Sequence, residues 1–326
     1  MKIAILYQFV QGPYGGGNQF LKALRAELTQ QDAYTSSLNT ADCILVNANP
    51  GSLPYLLRRL LFIQKPVMVR LDGPISLIRG KDDYIDTLLA KFIDIYADGV
   101  VFQSQWSKEQ NKKLFKIQAL KETVIYNAPD SRIFYPKKSN APAKKTKLIA
   151  TSWSSNPRKG FDLYKYLDTH LDFSKYEMIF VGNSPVTFKN IVTYAPVFST
   201  QLAELLRNQD MYITASQNDP CSNALLEALC CGLPAVALAQ GGHPELIQSG
   251  GRLFKDEKDV LAAINEVANN LPRYKSTLPH YSITAIAKQY LNFASQLYKT
   301  SSVWSKVIPT CTLYSQYYSY ALLKRS

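Results

Sequence analysis

The fold is decided by the stretch DPCSNALLEALCCGLP, which runs from Asp219 to Pro234. A short apolar run at 210–216 precedes it and predicts a buried strand. Asp219 or Ser222 can cap a helix, and the apolar residues beyond them recur at helical spacing until a glycine and a proline end it. Because another apolar run follows at 236–238, the segment predicts a strand, loop, helix and strand unit, and α/β proteins bind ligands in such loops.

Two carboxylates, Asp219 and Glu227, stand about two helical turns apart in this stretch. Between them, the first-turn N–H groups of Ser222 and Asn223 point outward at the positive end of the helix dipole, which suits a phosphate. An anion flanked by two hydroxyl-binding carboxylates describes a sugar nucleotide. The stretch alone leaves open that Asp219 is only a cap and Glu227 only a solvated helix residue.

The composition predicts a folded protein of two ordinary domains. The chain has 326 residues, and 46% of them are hydrophobic, enough for a sizeable core. Its five cysteines form neither a disulfide framework nor a metal-ligand spacing, so a reducing cytosol is expected. The sequence starts as a strand without a cleavable signal, and it contains no run of about 18 apolar residues that would span a membrane.

The formal net charge of +12 indicates an anionic partner or a solvated basic surface. The basic residues come in pairs at Arg58–Arg59, Lys112–Lys113, Lys137–Lys138, Lys144–Lys145 and Lys324–Arg325. No recognised nucleic-acid motif accompanies them, so nucleic-acid binding would rest on charge alone. Attraction to anionic lipid headgroups is the other interpretation.

The first half of the chain alternates between strand and helix patterns. A strand is predicted at 3–8, and after it Gly15, Gly16 and Gly17 permit close approach of the backbone to a ligand, although a plain flexible loop is equally compatible. Their spacing is not that of the dinucleotide-binding fingerprint. Further strands are predicted at 43–46, 67–71, 99–102 and 123–126, with helices at 53–61 and 84–97. This alternation predicts a parallel sheet covered by helices.

A second domain is predicted after residue 147. The stretch 137–147 is rich in proline, alanine and lysine without periodicity, which is typical of a linker, and a new series of strands begins at 148–151. Beyond Pro272 the pattern is helical. The last helix carries Tyr314, Tyr317, Tyr318 and Leu322 at helical spacing, and together with Trp304 they are expected to pack on the first domain.

A basic pair opens the second domain. Arg158 and Lys159 follow a predicted strand where a helix starts, so they could neutralise a diphosphate at that helix end, although a surface turn with two solvated bases is the alternative. Together with Asp219 and Glu227, this pattern resembles the retaining glycosyltransferases of family 4, the glycosyl transferases group 1. The segments 97–104, 124–130 and 241–247 also resemble parts of that family.

The resemblance implies an α/β fold of the GT-B type. Two Rossmann-like domains would face each other across a cleft, with a C-terminal helix crossing back to the first domain. The implied limits are 1–136 for the N-terminal acceptor domain together with a terminal helix at about 306–326, then 137–147 for the linker and 148–305 for the nucleotide-sugar donor domain.

The resemblance also implies roles for individual residues. Lys159 would hold the donor phosphates, with Arg158 as a helper. Asp219 would contact the transferred sugar and Glu227 the ribose. The diphosphate would be cradled by the backbone at Ser222, Asn223, Ala224 and Leu225 and approached by Gly15, Gly16 and Gly17.

The sequence departs from the family pattern at three places. Asp219 is shorter than the usual glutamate, and Ser154 stands where the family has an arginine, for which Arg158 would substitute. The histidine that the family often places near the sugar from the first domain has no counterpart among His170, His243 and His280. Asp72, which follows a predicted strand, is the nearest polar candidate.

The expected function is transfer of a sugar from a nucleotide diphosphate sugar to an acceptor hydroxyl, with retention of configuration and with neither a metal nor a cofactor. The acceptor would be a glycan, a glycolipid or another hydroxyl compound. A catalytically impaired protein that binds nucleotide sugars or acts as a scaffold is the main alternative, and an epimerase or a phosphorylase with a similar cleft is another.

A cytoplasmic location is expected, peripheral at the inner membrane surface. The basic residues predicted to meet anionic lipid are Arg58, Arg59, Lys112, Lys113 and Lys116 in the first domain. The leucines at 53–61 are expected to pack in the core of that domain rather than to contact lipid.

Overall fold

The computed structural model describes residues 1–48, 50–80, 83–115, 117, 121–137 and 144–324. The chain divides into two compact units. The first unit comprises Met1–Phe9, Leu24–Tyr126 and Thr284–Ser326, and the second comprises Val10–Ala23 and Asn127–Ile283. Lys116, Lys138, Arg325 and the middle of the predicted linker, 138–143, lie outside the described residues.

The first unit contains a parallel sheet of five strands in chain order. They are β1 (Ile3–Leu6), β2 (Cys43–Asn47), β3 (Val67–Leu71), β4 (Gly99–Phe102) and β5 (Glu122–Val124). On the other side of β1, Ile3 forms a parallel bridge with Tyr34. The chain therefore passes from β1 to Tyr34 on one side and then to β2 on the opposite side, so its winding reverses at β1, as in a doubly wound sheet.

Five helices accompany these strands: α1 (Gly16–Gln30), α2 (Leu53–Leu60), α3 (Ile75–Arg79), α4 (Asp83–Tyr96) and α5 (Gln105–Leu114). The leucines of α2 are buried in the core, which confirms the prediction made for them. The strand ends were less predictable. The first strand ends at Leu6 instead of Gln8, and β5 covers Glu122–Val124 instead of 123–126, because apolar character continues in the sequence beyond the last residues in register with the neighbouring strand.

The second unit contains a parallel sheet of six strands. They are β6 (Thr146–Ser152), β7 (Tyr176–Gly182), β8 (Val192–Tyr194), β9 (Met211–Thr214), β10 (Ala235–Leu238) and β11 (Gly251–Phe254). Their spatial order is β11-β10-β9-β6-β7-β8, so the winding reverses between β6 and β9. The helices are α6 (Phe161–His170), α7 (Ser199–Arg207), α8 (Asn223–Cys230), α9 (His243–Ile247), α10 (Glu257–Asn269) and α11 (Leu271–Ser276). A reversal of this kind opens a crevice at the carboxyl ends of the two strands.

Two helices complete the chain, α12 (Ile283–Ala294) and α13 (Val303–Leu323). The chain rejoins the first unit within α12, and Lys299 Nζ lies 2.7 Å from Oδ2 of the buried Asp98. Residues 284–305 therefore pack in the first unit, which differs from the predicted donor-domain limit of 305, and the terminal helix begins at Val303 instead of about 306. Among the described helices, none is long and apolar enough to cross a membrane.

Candidate donor-binding site

The candidate site lies in the second unit, where the loops after β6 and β9 leave the reversal point of the sheet. Gly160 brings the two loops together. Its φ of 79° lies in the left-handed region, and a Cβ added there would stand 2.4 Å from the carbonyl oxygen of Ala215. In the turn before it, the Asn156 side chain accepts a hydrogen bond from the Arg158 N–H at 2.9 Å. The predicted basic pair is thus fixed beside the loop that carries Asp219.

Lys159 and Asp219, sixty positions apart in the chain, form the centre of the site. Lys159 Nζ donates to Asp219 Oδ2 at 3.0 Å and to Ser216 Oγ at 3.0 Å. The Ser216 hydroxyl in turn donates to Asp219 Oδ2 at 3.3 Å. The Lys159 ammonium therefore links the two loops. It has three N–H donors, so a further donor remains available to an anion.

Asp219 is held as a carboxylate from several directions. Burial opposes ionisation, but the neighbouring Lys159 ammonium outweighs it, helped by His243 and by the Cys221 N–H, so the pKa of Asp219 lies below its ordinary value. The backbone at Asp219 is fixed as well, because its carbonyl accepts the Gly242 N–H at 2.8 Å. The carboxylate is therefore an acceptor suited to a sugar hydroxyl at neutral pH.

The N-terminus of α8 lies directly after this carboxylate. Ser222 is its N-cap, and the Ser222 hydroxyl accepts the Leu225 N–H at 3.4 Å, so the alternative that Asp219 is only a cap is wrong. This bond occupies one of the N–H groups expected to cradle a diphosphate. The N–H groups of Asn223 and Ala224 have no hydrogen-bond partner among the described residues. These two donors remain for a ligand at the positive end of the helix.

The glycine-rich loop approaches the same helix end. A Cβ placed on Gly16, the first residue of α1, would stand 2.6 Å from Asn223 Nδ2 and 2.9 Å from Asn223 Cβ. Asn223 is also held by Asn127, whose Nδ2 donates to Asn223 Oδ1 at 3.2 Å. Gly15 has a left-handed φ of 39°, and Gly17 has open space around it. Of the three glycines, Gly16 is therefore the one that the close approach requires.

Glu227 lies inside α8 and is buried, so the alternative of a solvated helix residue is wrong. No described residue forms a hydrogen bond with its carboxyl group. Burial raises the pKa of Glu227 to about 8. The pKa values of the two carboxyls are thus shifted in opposite directions, so that Asp219 is ionised and Glu227 is predominantly protonated at neutral pH.

The raised pKa of Glu227 predicts a stability that falls as pH rises. Between pH 4.5, the ordinary pKa of a glutamate, and about pH 8, the folded form holds a proton that the unfolded chain has lost. Stability is therefore greatest below the unfolded pKa and declines through pH 8, by on the order of 5 kcal/mol. Glu227→Gln removes this dependence and should become the more stable protein at pH 8.5. Denaturant unfolding at pH 5 and pH 8.5 measures the difference, and Glu204→Gln on the exposed face of α7 is the matched control. Equal pH dependence in all three proteins would contradict the burial effect.

Two other predicted residues stand in different surroundings. No described residue pairs with the Arg158 guanidinium, although the Arg158 carbonyl accepts the Gln217 N–H at 2.7 Å. Asp72 lies in the first unit, where Oδ1 is 3.3 Å from Arg70 Nη1. The structure therefore brings Lys159, Asp219, Asn223 and their neighbours together within one unit, and Asp72 belongs to the other.

Sequence reasoning missed two residues of the site, Ser216 and His243. His243 begins α9 and is fully buried, and Nδ1 lies 2.9 Å from the Leu238 carbonyl oxygen. Because a carbonyl only accepts, Nδ1 carries the proton, and Nε2 has no partner among the described residues. Burial lowers the pKa of His243, against the attraction of Asp219. The Gly241–Gly242 pair before His243 was the sequence feature that could have indicated this residue.

Across the described residues, no three His, Cys, Asp or Glu side chains cluster as metal ligands would.

The fold is that of the GT-B glycosyltransferases, with two α/β units built on parallel sheets. A solved structure of Anabaena Alr3699/HepE in complex with UDP and glucose matches 91% of this chain and 100% of its own, with a TM-score of 0.70 at 15% identity. At 15% identity, this match is evidence for the fold only.

The resemblance to a family is confirmed over part of the second unit. The model of the family described as Glycosyl transferases group 1 matches residues 168–270, which include Asp219 and Glu227. The chain is 26% identical over 217 residues to N-acetyl-alpha-D-glucosaminyl L-malate synthase of Bacillus anthracis, and 21% identical over 228 residues to a probable sucrose-phosphate synthase of Thermosipho melanesiensis. Each match takes in 60% of this chain, and the chain spans about half the length of these curated relatives, 55% and 54%.

Proposed function

We propose that this protein transfers a sugar from a nucleoside diphosphate sugar to an acceptor hydroxyl. The observation that carries the proposal is the convergence of Lys159, the carboxylate of Asp219 and two open N–H groups of α8 at the reversal point of one sheet. This combination offers cationic and dipolar donors to a diphosphate and an anionic acceptor to a sugar hydroxyl.

In the proposed reaction, the bond between the anomeric carbon and the β-phosphate oxygen breaks, and the diphosphate leaves with the electron pair. The acceptor oxygen forms the new bond to the anomeric carbon and gives up its proton to the leaving diphosphate. Lys159 and the N–H groups of Asn223 and Ala224 stabilise the charge that develops on the leaving diphosphate. We infer that this stabilisation needs no metal ion, so transfer should persist in the presence of a chelator.

The finer assignments rest on the family resemblance. They are retention of configuration at the anomeric carbon, contact of Asp219 with the transferred sugar, contact of Glu227 with the ribose, and assistance from Arg158. Proton NMR of the first product formed reports the anomeric configuration directly. Asp72, in the first unit, is proposed as a polar group on the acceptor side.

The partners we propose are a nucleotide-sugar donor and a glycan, glycolipid or other hydroxyl acceptor. A UDP-sugar is the first donor to test, because Alr3699/HepE has been solved in complex with UDP-glucose. A cytoplasmic location, peripheral at an anionic membrane surface, is proposed from the net charge of +12. The donor domain is proposed to centre on the second sheet and, of the predicted limits of 148–305, to extend as far as Ile283, where the second unit ends.

A catalytically impaired binding or scaffold protein is the second candidate, and a specific departure favours it. Ser154 stands where the family has an arginine, and its hydroxyl accepts the Asn156 N–H at 3.2 Å, so it supports the turn instead of contacting a phosphate. Release of nucleoside diphosphate from donor sugars distinguishes the candidates. An active transferase releases it slowly in water and faster with an acceptor, whereas an impaired protein binds the donor and leaves it intact.

Gly16→Ala should weaken nucleoside diphosphate binding by about tenfold, since the new Cβ would collide with Asn223 at a distance that forces the helix end to shift. Gly17→Ala is the matched control, because nothing lies within 4 Å of a Cβ at that position. Calorimetric titration of both variants measures the effect. Equal affinity in the two would show that the close approach of Gly16 to α8 plays no part in donor binding.

A further inference from the structure

The terminal helix α13 packs on the first unit with one face only. Lys306, Thr310 and Leu313 are buried on that face, and Leu313 belongs to the hydrophobic core. The Thr310 hydroxyl lies 2.7 Å from the Tyr96 hydroxyl of α4, and Lys306 Nζ donates to the Ile63 carbonyl at 3.4 Å. This face accounts for the attachment of α13, and it leaves the opposite face in solvent.

The opposite face is unusually apolar. It consists of six exposed positions at the spacing of one helical stripe: Trp304, Ile308, Cys311, Ser315, Tyr318 and Leu322. We call these six residues the outer stripe. Trp304 is 86% exposed, Ile308 77% and Leu322 66%, and none of the six is charged. The prediction that Trp304, Tyr318 and Leu322 pack on the first domain is therefore wrong. A surface helix ordinarily places charged residues on its solvent side. The uncharged outer stripe of α13 is therefore better suited to contact with an apolar surface than with water.

The charged side chains of α2 and α4 that bond to α13 are basic. Helix α13 contains no aspartate or glutamate. Arg58 of α2 donates through Nε to the Tyr314 hydroxyl at 3.1 Å, and Lys91 of α4 donates to Gln316 Oε1 at 2.9 Å. Arg59 is exposed beside Arg58. An apolar stripe bordered by cations complements a surface that is apolar inside and anionic at its edge.

A further exposed apolar side chain lies near the start of α13. Phe62 follows α2 and is 73% exposed, and the next residue, Ile63, accepts the bond from Lys306. Tryptophan is favoured at the level of lipid headgroups, where its ring is apolar and its N–H stays wet, and phenylalanine is common on the apolar face of interfacial helices. Phe62 therefore lies at the same end of α13 as Trp304.

We propose that the outer stripe of α13 lies on an anionic lipid bilayer, with the helix parallel to the surface. The apolar side chains enter the boundary between headgroups and acyl chains, and the flanking cations meet the lipid phosphates. This inference deepens the membrane association proposed above and names its surface. It does not depend on sugar transfer, because its test measures lipid binding and not turnover.

The test is co-sedimentation of the full chain with vesicles of phosphatidylcholine containing phosphatidylglycerol, and with vesicles of phosphatidylcholine alone. The double variant Trp304→Ser/Ile308→Ser should lower partition into the anionic vesicles at least tenfold, which is about what withdrawing two large apolar side chains from lipid implies. Val192→Ser/Tyr194→Ser, an exposed apolar pair on β8, is the matched control and should bind as the wild type does. Turnover measured in detergent-free buffer should be the same in all three proteins.

A second measurement guards against effects on folding. Trp304→Phe keeps an apolar ring and should retain binding, while the blue shift of tryptophan fluorescence on addition of anionic vesicles should be largely lost. If the double variant binds as the wild type does, clustered charge alone causes the association and the proposal is wrong. If the wild type ignores vesicles but forms a dimer that Trp304→Ser/Ile308→Ser dissociates, the outer stripe pairs two copies and the proposal is likewise overturned.

Discussion

Replacing Lys159 with alanine should lower the rate of sugar transfer about 10²–10³-fold, the usual effect of removing one preorganised donor that stabilises developing charge. Lys159 Nζ is held 3.0 Å from Asp219 Oδ2 and 3.0 Å from Ser216 Oγ, so it is in position before a donor binds. A diphosphate that enters the site would share this ammonium with the carboxylate. Steady-state kinetics with a saturating acceptor measure the loss.

The same change also has a predicted effect on stability. Lys159 lowers the pKa of Asp219, so the pair stabilises the folded state above the unfolded pKa of Asp219, and this contribution disappears as pH falls through the folded pKa. Lys159→Ala should therefore unfold at a lower denaturant concentration than the wild type at pH 7, with the difference diminishing in acid. Lys165→Ala, on the exposed side of α6, is the matched control and should change neither property. Full activity in Lys159→Ala would contradict the assignment of the phosphate site.

Removing the chain after Ser305 should unfold the first unit and leave the second folded. The deletion takes away Leu313 from the core, together with the Thr310 hydroxyl that bonds Tyr96. The single change Leu313→Ala is a graded form of the same test and should destabilise the first unit by about 2–5 kcal/mol, the range for a buried leucine. Leu322→Ala on the exposed side of the same helix should cost no more than about 0.5 kcal/mol.

Hydrogen exchange resolved by unit is the suitable measurement, because a chain of two units need not unfold in a single transition. Amides of β2 and β3 should lose protection in the truncated protein and in Leu313→Ala, whereas those of β7 and β9 should keep it. Unchanged protection of β2 and β3 after truncation would show that α13 contributes little to the first unit.

The strands were predictable because each is a short apolar run, and both faces of a parallel sheet are covered. Their boundaries were not, since an apolar residue such as Ile125 is buried and donates its N–H to the Phe102 carbonyl at 2.9 Å, although β5 ends at Val124. The return of the chain to the first unit was also unpredictable. It falls inside α12, which has no glycine or proline to mark it, and it depends on contacts such as Leu297 with Gly99 that are distant in sequence.

The site was predictable only in part. The helix pattern after Asp219 and the basic pair at Arg158 and Lys159 each indicate an anion site, but the sequence offers no local reason for Lys159 and Asp219 to meet. That reason lies in the order of the strands, which sets β6 beside β9. Ser216 was missed because a serine after a strand is common, and its contact with both charged groups appears only in three dimensions.

Calorimetric titration of nucleoside diphosphates into the wild type and into Lys159→Ala is the most direct test of the proposed site. UDP, GDP, ADP and TDP cover the common bases, and the corresponding monophosphates show how much the second phosphate contributes. The site predicts that at least one diphosphate binds, that its monophosphate binds more weakly, and that Lys159→Ala lowers the affinity for the diphosphate at least tenfold, or about 1.4 kcal/mol. Lys165→Ala should bind as the wild type does. Binding of none of the four, or equal binding by wild type and Lys159→Ala, would contradict a diphosphate site at the reversal point of the second sheet.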